Sequence, residues 1–178
     1  EHNLANTAYN DRVEECNYAL KLINEKYSNK FSSLCEVDLN IIETLKNDMD
    51  FKIYNRASFV INENLRTHDA AIKLNEFKLM EIGNLMYQSH AGLKDLYEVS
   101  CNELDYLVDL TKAHDQIIGS RMMGGGFGGC TINLIHKRFI DEFIEEASKS
   151  YFEKFSINLT PIEINICDGV KIKNLQTD

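Results

Sequence analysis

Proline and glycine are unevenly distributed along the chain, and this limits where helices can run. The 178 residues contain one proline, Pro161, near the end. Proline lacks a backbone N–H and breaks helices, so a stretch without it can form long ones. Five of the nine glycines lie within residues 124–129. The sequence therefore predicts a helical region before this glycine run and a change of structure around it.

Apolar residues before the glycine run recur at the spacing of one helix turn. The first predicted helix has one apolar face, formed by Tyr9, Val13, Cys16, Leu20 and Ile23. The longest apolar stripe covers about five turns and consists of Tyr54, Ala57, Ile61, Leu65, His68 and Ile72. Three shorter helices are predicted to bury Leu39, Ile42 and Leu45; Leu79, Ile82, Leu85 and Met86; and Leu104, Leu107 and Val108.

Two of these helices begin with residues that cap helix N-termini. Asp38 precedes the first short helix, and its carboxylate can accept a hydrogen bond from a free backbone N–H. Ser100 and Glu103 have the spacing of a capping box. In that motif the serine accepts from the third helical amide and the glutamate accepts from the serine N–H.

The pattern changes after about residue 116: residues 117–122 are a short segment bounded by glycine, and residues 131–135 alternate apolar and polar. Residues 117–122 and 131–135 are predicted strands, and residues 138–155 a helix that buries Phe139, Phe143, Ala147 and Tyr151. A second alternation, at Ile162, Ile164 and Ile166, leads into an Asp168-Gly169 hairpin turn and a last strand, Val170, Lys171 and Ile172. The predicted fold class is α+β, with helices on one face of a small, about four-stranded antiparallel sheet.

Composition excludes several kinds of protein. Apolar residues make up 44% and charged residues 26%, as in ordinary globular domains. No run of about 18 apolar residues occurs, so we expect no membrane partner. The net charge of −9 opposes binding to nucleic-acid phosphates. The five widely spaced cysteines contain no Cys-x-x-Cys pair and predict free thiols in a reducing cytoplasm rather than a zinc or disulfide framework.

The glycine run can do one of two things. Glycines adopt positive φ and let a ligand approach the backbone closely, and consecutive amides can form a nest that holds a phosphate. The run could equally be a loose hairpin, or a tight bend packed under a helix. It is not a Walker A loop, because no Gly-Lys-Ser/Thr follows, and it is not a dinucleotide fingerprint, because a strand follows it.

Several segments together resemble one family. Residues 119–131 resemble the third motif of the GHMP small-molecule kinases in its galactokinase form. Residues 97–105, with Ser89, His90 and Leu93 before them, are similar to the stretch that precedes that motif, and Asp168-Gly169-Val170 is similar to the closing hairpin. The opening also resembles the family, at His2, Leu4, Ala5, Tyr9, Arg12, Glu15 and Cys16.

The resemblance implies an ATP-dependent kinase that phosphorylates the C1 hydroxyl of α-D-galactose. It also implies that residues 1–178 are the C-terminal domain of a longer protein whose own N-terminal domain is a partner. The catalytic residues, most sugar contacts and the Mg²⁺ ligands would lie in that N-terminal part. We therefore expect no catalytic residue and no metal ligand in this chain, and no activity from it alone.

The resemblance also implies roles for individual residues. Tyr9 matches a tyrosine that hydrogen-bonds the sugar; its alternative role is as an apolar helix-face residue. Arg12 lies near the site or forms a surface ion pair. The ATP-phosphate region would be the third-motif loop, formed by Gly124, Gly125, Gly126, Phe127, Gly128 and Gly129. A side chain at these glycines would intrude there, so we expect Gly126→Val to lower activity without unfolding the protein.

Some positions depart from the family or invite other interpretations. Met123 stands where threonine is usual, and Phe59 where histidine is common. We expect His90 to be a packed or capping group and Cys130 to be a buried, inert thiol. Two other functions remain open: a related kinase acting on N-acetylgalactosamine or galacturonate, and a non-catalytic sensor of sugar and ATP.

Overall fold

The structure, a computed structural model, describes residues 2–28 and 31–164, with side chains from Ala8 onward. It contains six α-helices, two strands and two short 3₁₀ turns at Leu34–Glu36 and Lys137–Phe139. The helices are α1 (His2–Tyr27), α2 (Leu39–Thr44), α3 (Phe51–Asn75), α4 (Leu79–Asp95), α5 (Asn102–Thr111) and α6 (Ile140–Phe155). The strands are β1 (Ile117–Met123) and β2 (Cys130–Ile135). None of the described helices is long and apolar enough to cross a bilayer.

Helices α1 to α3 enclose the larger hydrophobic cluster, which contains Ala19, Ile23, Leu34, Val37, Ile42, Leu45, Met49, Tyr54, Ala57 and Ile61. The predicted stripe of α3 is buried only in its first half. Leu65 and Ile72 are 49% and 54% exposed, because in the described chain the cluster covers α3 only as far as Ile61. Periodicity predicts an apolar helix face, but the tertiary fold decides how much of it is covered.

The helix starts differ from the predicted caps. Asp38 is the N-cap of α2, but its side chain makes no capping hydrogen bond. The capping box is wrong, because the N-cap of α5 is Cys101 rather than Ser100. The Ser100 hydroxyl instead donates to the Asp105 carboxylate at 2.6 Å, and a hydrogen bond to a charged acceptor is stronger than one from a neutral amide.

The predicted β1 and β2 are confirmed as an antiparallel pair. Their register runs from Met123 opposite Cys130 to Ile117 opposite Ile135, with an irregularity between Ile117 and Gly119. Helix α4 packs closely on β1, since a Cβ on Gly119 would lie 2.4 Å from the α carbon of Gly83. Three residues of the predicted helix 138–155, Phe139, Phe143 and Ala147, pack with Ile117 in a second cluster. Phe139 lies in the 3₁₀ turn just before α6. The fold is α+β.

The sheet has two strands in the described residues rather than about four. Ile162 and Ile164 belong to no strand there and are 79% and 65% exposed. An alternating segment becomes a strand only where a neighbour supplies hydrogen bonds. The predicted partner segment, with Ile166, Asp168-Gly169 and residues 170–172, lies outside the described residues.

Candidate functional site

Residues 124–129 form the glycine loop, which joins the end of β1 to the start of β2. Four of its glycines have positive φ: 94° at Gly124, 88° at Gly126, 132° at Gly128 and 105° at Gly129. Phe127 also has a positive φ, 59°. Residues with a side chain rarely adopt this region. The sequence-predicted glycines are therefore needed for the path of the backbone itself.

The middle of the glycine loop is attached to the α4–α5 connection, residues 96–101. The N–H of Phe127 donates to the Val99 carbonyl at 2.7 Å. The Phe127 side chain packs against a cluster formed by Val99, Leu104 and Met122. A Cβ on Gly126 would lie 2.2 Å from the Val99 carbonyl oxygen. The middle of the loop is thus a tight bend, packed against the α4–α5 connection rather than under a helix.

The outer part of the glycine loop is open. A Cβ built on Gly124, Gly125 or Gly128 has nothing within 4 Å. A side chain at these three positions would therefore enter open space rather than meet the protein. Bare backbone facing open space is the arrangement that lets an anionic group approach main-chain amides. The loop thus fits the phosphate contact predicted for it.

A network of charged residues lies behind the α4–α5 connection and centres on Arg56 of α3, whose side chain is completely buried. Its Nε donates to Glu15 of α1 at 3.1 Å, and one terminal nitrogen donates to Glu98 at 2.5 Å. The other terminal nitrogen donates to the carbonyl of Leu96. Lys52 also pairs with Glu15, at 2.5 Å.

These contacts change the acidity of both carboxylates. Burial alone would raise the pKa of Glu15, but hydrogen bonds from Lys52, Arg12 and Arg56 outweigh it and lower the pKa. The hydrogen bond from Arg56 lowers the pKa of Glu98. Both side chains are therefore negatively charged near neutral pH, and they balance the buried guanidinium.

Tyr9 and Arg12 lie one turn apart on α1. Tyr9 is 55% exposed, so its ring is open to a ligand. The interpretation of Arg12 as a surface ion pair is wrong, because its side chain is buried and pairs with Glu15 at 2.5 Å. The other terminal nitrogen of Arg12 lies 3.5 Å from the carbonyl of Glu98. The helix that carries Tyr9 therefore reaches the connection that holds the glycine loop.

His90 and Asp105 support the loop from the other side. As expected, His90 is a packed group: it is buried, and its Nδ1 accepts the N–H of Met122 at 3.2 Å. Because Nδ1 is an acceptor, the ring proton lies on Nε2, which is 3.3 Å from the Asp105 carboxylate. Burial lowers the pKa of His90, against the opposing effect of Asp105. The neutral ring thus links α4, α5 and the end of β1.

Cys130, Phe59 and Met123 are three further positions that the sequence singled out. Cys130 is exposed, not buried as expected, because it begins β2 at the mouth of the loop. Phe59 packs on Tyr97 with ring centroids 5.0 Å apart. Met123, at the end of β1, is 48% exposed. Within residues 2–28 and 31–164, no group of three or more His, Cys, Asp or Glu residues could hold a metal ion.

Sequence reasoning missed Arg56 and Glu98 as parts of this arrangement. Arg56 lies beside the predicted apolar stripe of α3, and its partners Glu15 and Glu98 are 41 and 42 positions away in sequence. No local spacing rule connects residues at that distance. The one available signal was the similarity of the segments that contain Glu15 and Glu98 to the kinase family.

One family model matches part of the chain. Residues 70–154, which include α4, α5, both strands and most of α6, match the family described as GHMP kinases C terminal. Over these residues the chain is similar to the C-terminal domains of GHMP kinases. The glycine loop, the α4–α5 connection and His90 all lie within the matched residues.

Similar proteins are galactokinases. The chain is 40% identical over 169 residues to the galactokinase of Clostridium acetobutylicum, covering 94% of this chain and 43% of that protein. It is 36% identical over 171 residues to the Thermotoga neapolitana galactokinase, with 96% and 46% covered. The crystal structure of Lactococcus lactis galactokinase complexed with galactose matches 85% of this chain and 39% of that one, with 32% identity and a TM-score of 0.78. The chain thus spans less than half the length of these relatives.

Proposed function

We propose that this chain is the C-terminal domain of a galactokinase, which transfers a phosphoryl group from ATP to the C1 hydroxyl of α-D-galactose. The observation that carries the proposal is the glycine loop. Its open backbone is held in place by the α4–α5 connection, in a chain 40% identical to a galactokinase over 169 residues. Phosphoryl transfer depends mainly on positioning and charge stabilisation, which such a loop can provide.

The proposed role of the loop is to present main-chain amides to the phosphates. Gly124, Gly125 and Gly128 leave the backbone bare on their open sides, while Phe127 attaches the loop to the protein. Bound ATP supplies the transferable phosphoryl group, and Mg²⁺, held by residues outside this chain, neutralises its charge. Backbone amides suit this task in an acidic chain, since they attract anions without adding a charged side chain.

The proposed role of Tyr9 is to hydrogen-bond the sugar. A phenol offers one donor and one acceptor, and a sugar presents hydroxyls that can pair with both. The exposed Tyr9 ring and the galactose in the Lactococcus lactis galactokinase structure support this role. Arg12 and Glu15, one to two turns later on α1, would hold this part of the helix in place through their ion pair.

The remaining parts of the active site are proposed to lie in an N-terminal domain. The relatives are more than twice as long as the residues that match this chain, which leaves room for the catalytic residues and the metal ligands. We therefore expect the 178-residue chain alone to be inactive. The widely spaced cysteines support a cytoplasmic location for the full-length enzyme.

Release of ADP by the full-length protein tests the proposal. The assay contains ATP, Mg²⁺ and one of galactose, N-acetylgalactosamine or galacturonate, with the 178-residue chain assayed in parallel. Turnover on galactose by the full-length protein and none by the shorter chain is the expected result. Turnover only on another sugar would mean that this sugar, and not galactose, is the substrate. Binding of sugar and ATP without turnover would contradict the proposed kinase activity and favour a non-catalytic sensor.

A further inference from the structure

We infer that Arg56 is a positioning residue for the phosphate site: it sets the conformation of the α4–α5 connection, and that connection holds the glycine loop. This inference rests on the proposed kinase function. Arg56 itself lies in α3 and makes no described contact with the loop. Its influence would pass through Glu98 and Val99, which are adjacent in the chain.

The burial of Arg56 needs an explanation beyond stability. Its side chain is 0% exposed, and it is one of the largest side chains that are fully buried. Removing a charge from water is costly, and a buried ion pair is often no more stable than a well-packed apolar group. A planar guanidinium can, however, fix several acceptors at once in set directions. Arg56 does this with three acceptors on two other segments, Glu15, Leu96 and Glu98.

The hydrogen bonds of Arg56 constrain the backbone at Glu98. Glu98 has a φ of 53°, a left-handed conformation that a residue with a side chain adopts at a cost. Both ends of the residue are held: the carboxylate by Arg56 at 2.5 Å, and the carbonyl by the 3.5 Å contact with Arg12. Such a conformation persists only where the surroundings impose it. The two arginines therefore maintain the turn at Glu98.

The turn at Glu98 orients the carbonyl of the next residue, Val99, toward the glycine loop. The Val99 N–H donates to the Leu93 carbonyl at 2.9 Å, and its carbonyl accepts the Phe127 N–H at 2.7 Å. Gly126 is in contact with the same carbonyl. If Glu98 relaxed to a right-handed conformation, the Val99 carbonyl would turn and Phe127 would lose its acceptor. The open glycines on either side would then lose their fixed position.

Two substitutions in the full-length protein test this chain of contacts. Arg56→Lys keeps the charge but loses the planar set of donors. Glu98→Ala removes only the carboxylate, at an exposed side chain, and so decides the question if Arg56→Lys fails to fold. The control is Ile61→Val, a buried change on the same helix, in the cluster away from the loop.

The measurements are the hydrogen-exchange rate of the Phe127 amide, the kcat and KM values for ATP and galactose, and the melting temperature. Both test variants should exchange Phe127 about tenfold faster and lose about tenfold or more in kcat/KM for ATP, since small displacements of positioning groups have such effects. Glu98→Ala should leave the KM for galactose within about twofold of the wild-type value. Ile61→Val should lower the melting temperature but leave Phe127 exchange at the wild-type rate.

Wild-type exchange at Phe127 in both variants would overturn the inference. So would an equal acceleration in Ile61→Val, because the effect would then follow overall stability. Absence of ADP release from the wild-type protein would instead refute the proposed kinase activity. The exchange rates would still decide whether Arg56 positions the loop.

Discussion

Gly125 and Gly126 are adjacent residues of the glycine loop, but their surroundings differ. A Cβ on Gly126 would lie 2.2 Å from a backbone carbonyl, at a φ of 88°. A Cβ on Gly125 would meet nothing, and its φ is not in the left-handed range. Gly126→Ala should therefore lower the free energy of unfolding by about 2 kcal/mol or more. Gly125→Ala should change it by less than about 0.5 kcal/mol.

Urea denaturation of the two variants checks this difference. Equal losses of stability would mean that the loop is not attached to Val99 as described. The clash at Gly126 also argues against the expectation that Gly126→Val leaves the protein folded. Gly125 is the better position at which to separate the function of the loop from its stability.

His90 should make the stability of the protein depend on pH. Burial lowers its pKa below the ordinary value of 6.5. As the pH falls through about 6.5, the unfolded chain therefore binds a proton before the folded one does, and the folded state becomes less stable. Above that pH both states are neutral and this effect is absent. His90→Asn keeps an acceptor for Met122 but no longer titrates.

The measurement is the free energy of unfolding at about pH 7.5 and about pH 5.5. The loss on acidification should be smaller in His90→Asn than in the wild-type protein. His68→Asn, at an exposed position of α3, is the control and should keep the wild-type loss. An unchanged loss in His90→Asn would show that the ring is not held neutral by its burial.

At the scale of helices, two aspartates in equivalent N-cap positions differ in what they contribute. Asp50 begins α3, and its carboxylate accepts the N–H groups of Lys52 and Ile53 at 2.9 and 3.4 Å. Asp38 begins α2 without a capping hydrogen bond. Asp50→Ala should cost about 1 kcal/mol of unfolding free energy, and Asp38→Ala clearly less. Thermal denaturation of both variants measures the difference, and a larger loss in Asp38→Ala would contradict the described caps.

The helices also show which parts of the fold the sequence could predict. The period of 3.6 predicted every α-helix in the described residues, and the period of 2 predicted β2, because side-chain alternation follows from backbone geometry. The other strand, β1, does not alternate and was predicted as a short segment bounded by glycine. The covered length of α3 could not be predicted, since Leu65 and Ile72 repeat the same pattern as buried Ile61. The Ser100 cap was predicted but does not form, because Asp105, a stronger partner, lies within reach of its hydroxyl.

The candidate site was predictable to a similar degree. The glycine run identified the loop, since residues with a side chain rarely adopt positive φ and four of the loop's glycines do so. That Gly126 lies against the protein while Gly125 faces open space depends on Val99, which is 27 residues away. The pairing of Arg56 with Glu15 and Glu98 likewise arises only when α1, α3 and the α4–α5 connection pack together.

At the scale of the whole molecule, the described chain has two packed regions, which meet where α3 packs on α4 and at the α4–α5 connection. Helices α1 to α3 surround one cluster, and the strands pack with α4, α5 and α6. Arg12 and Arg56 reach the connection from the first region, and Phe127 reaches it from the second. The exposed Tyr9 and the open glycines therefore belong to different regions, and the α4–α5 connection contacts both. This arrangement suits a site that must bring a sugar and a phosphate together.

The most direct test of whether the glycine loop forms part of the phosphate site is the catalytic efficiency of Gly125→Ala with ATP. It is measured in the full-length protein with galactose as acceptor. A methyl group there would project into the open space where the phosphates are proposed to lie. We expect a loss of about tenfold or more in kcat/KM for ATP, at an unchanged melting temperature. Wild-type efficiency at an unchanged melting temperature would contradict the claim that the glycine loop forms part of the phosphate site.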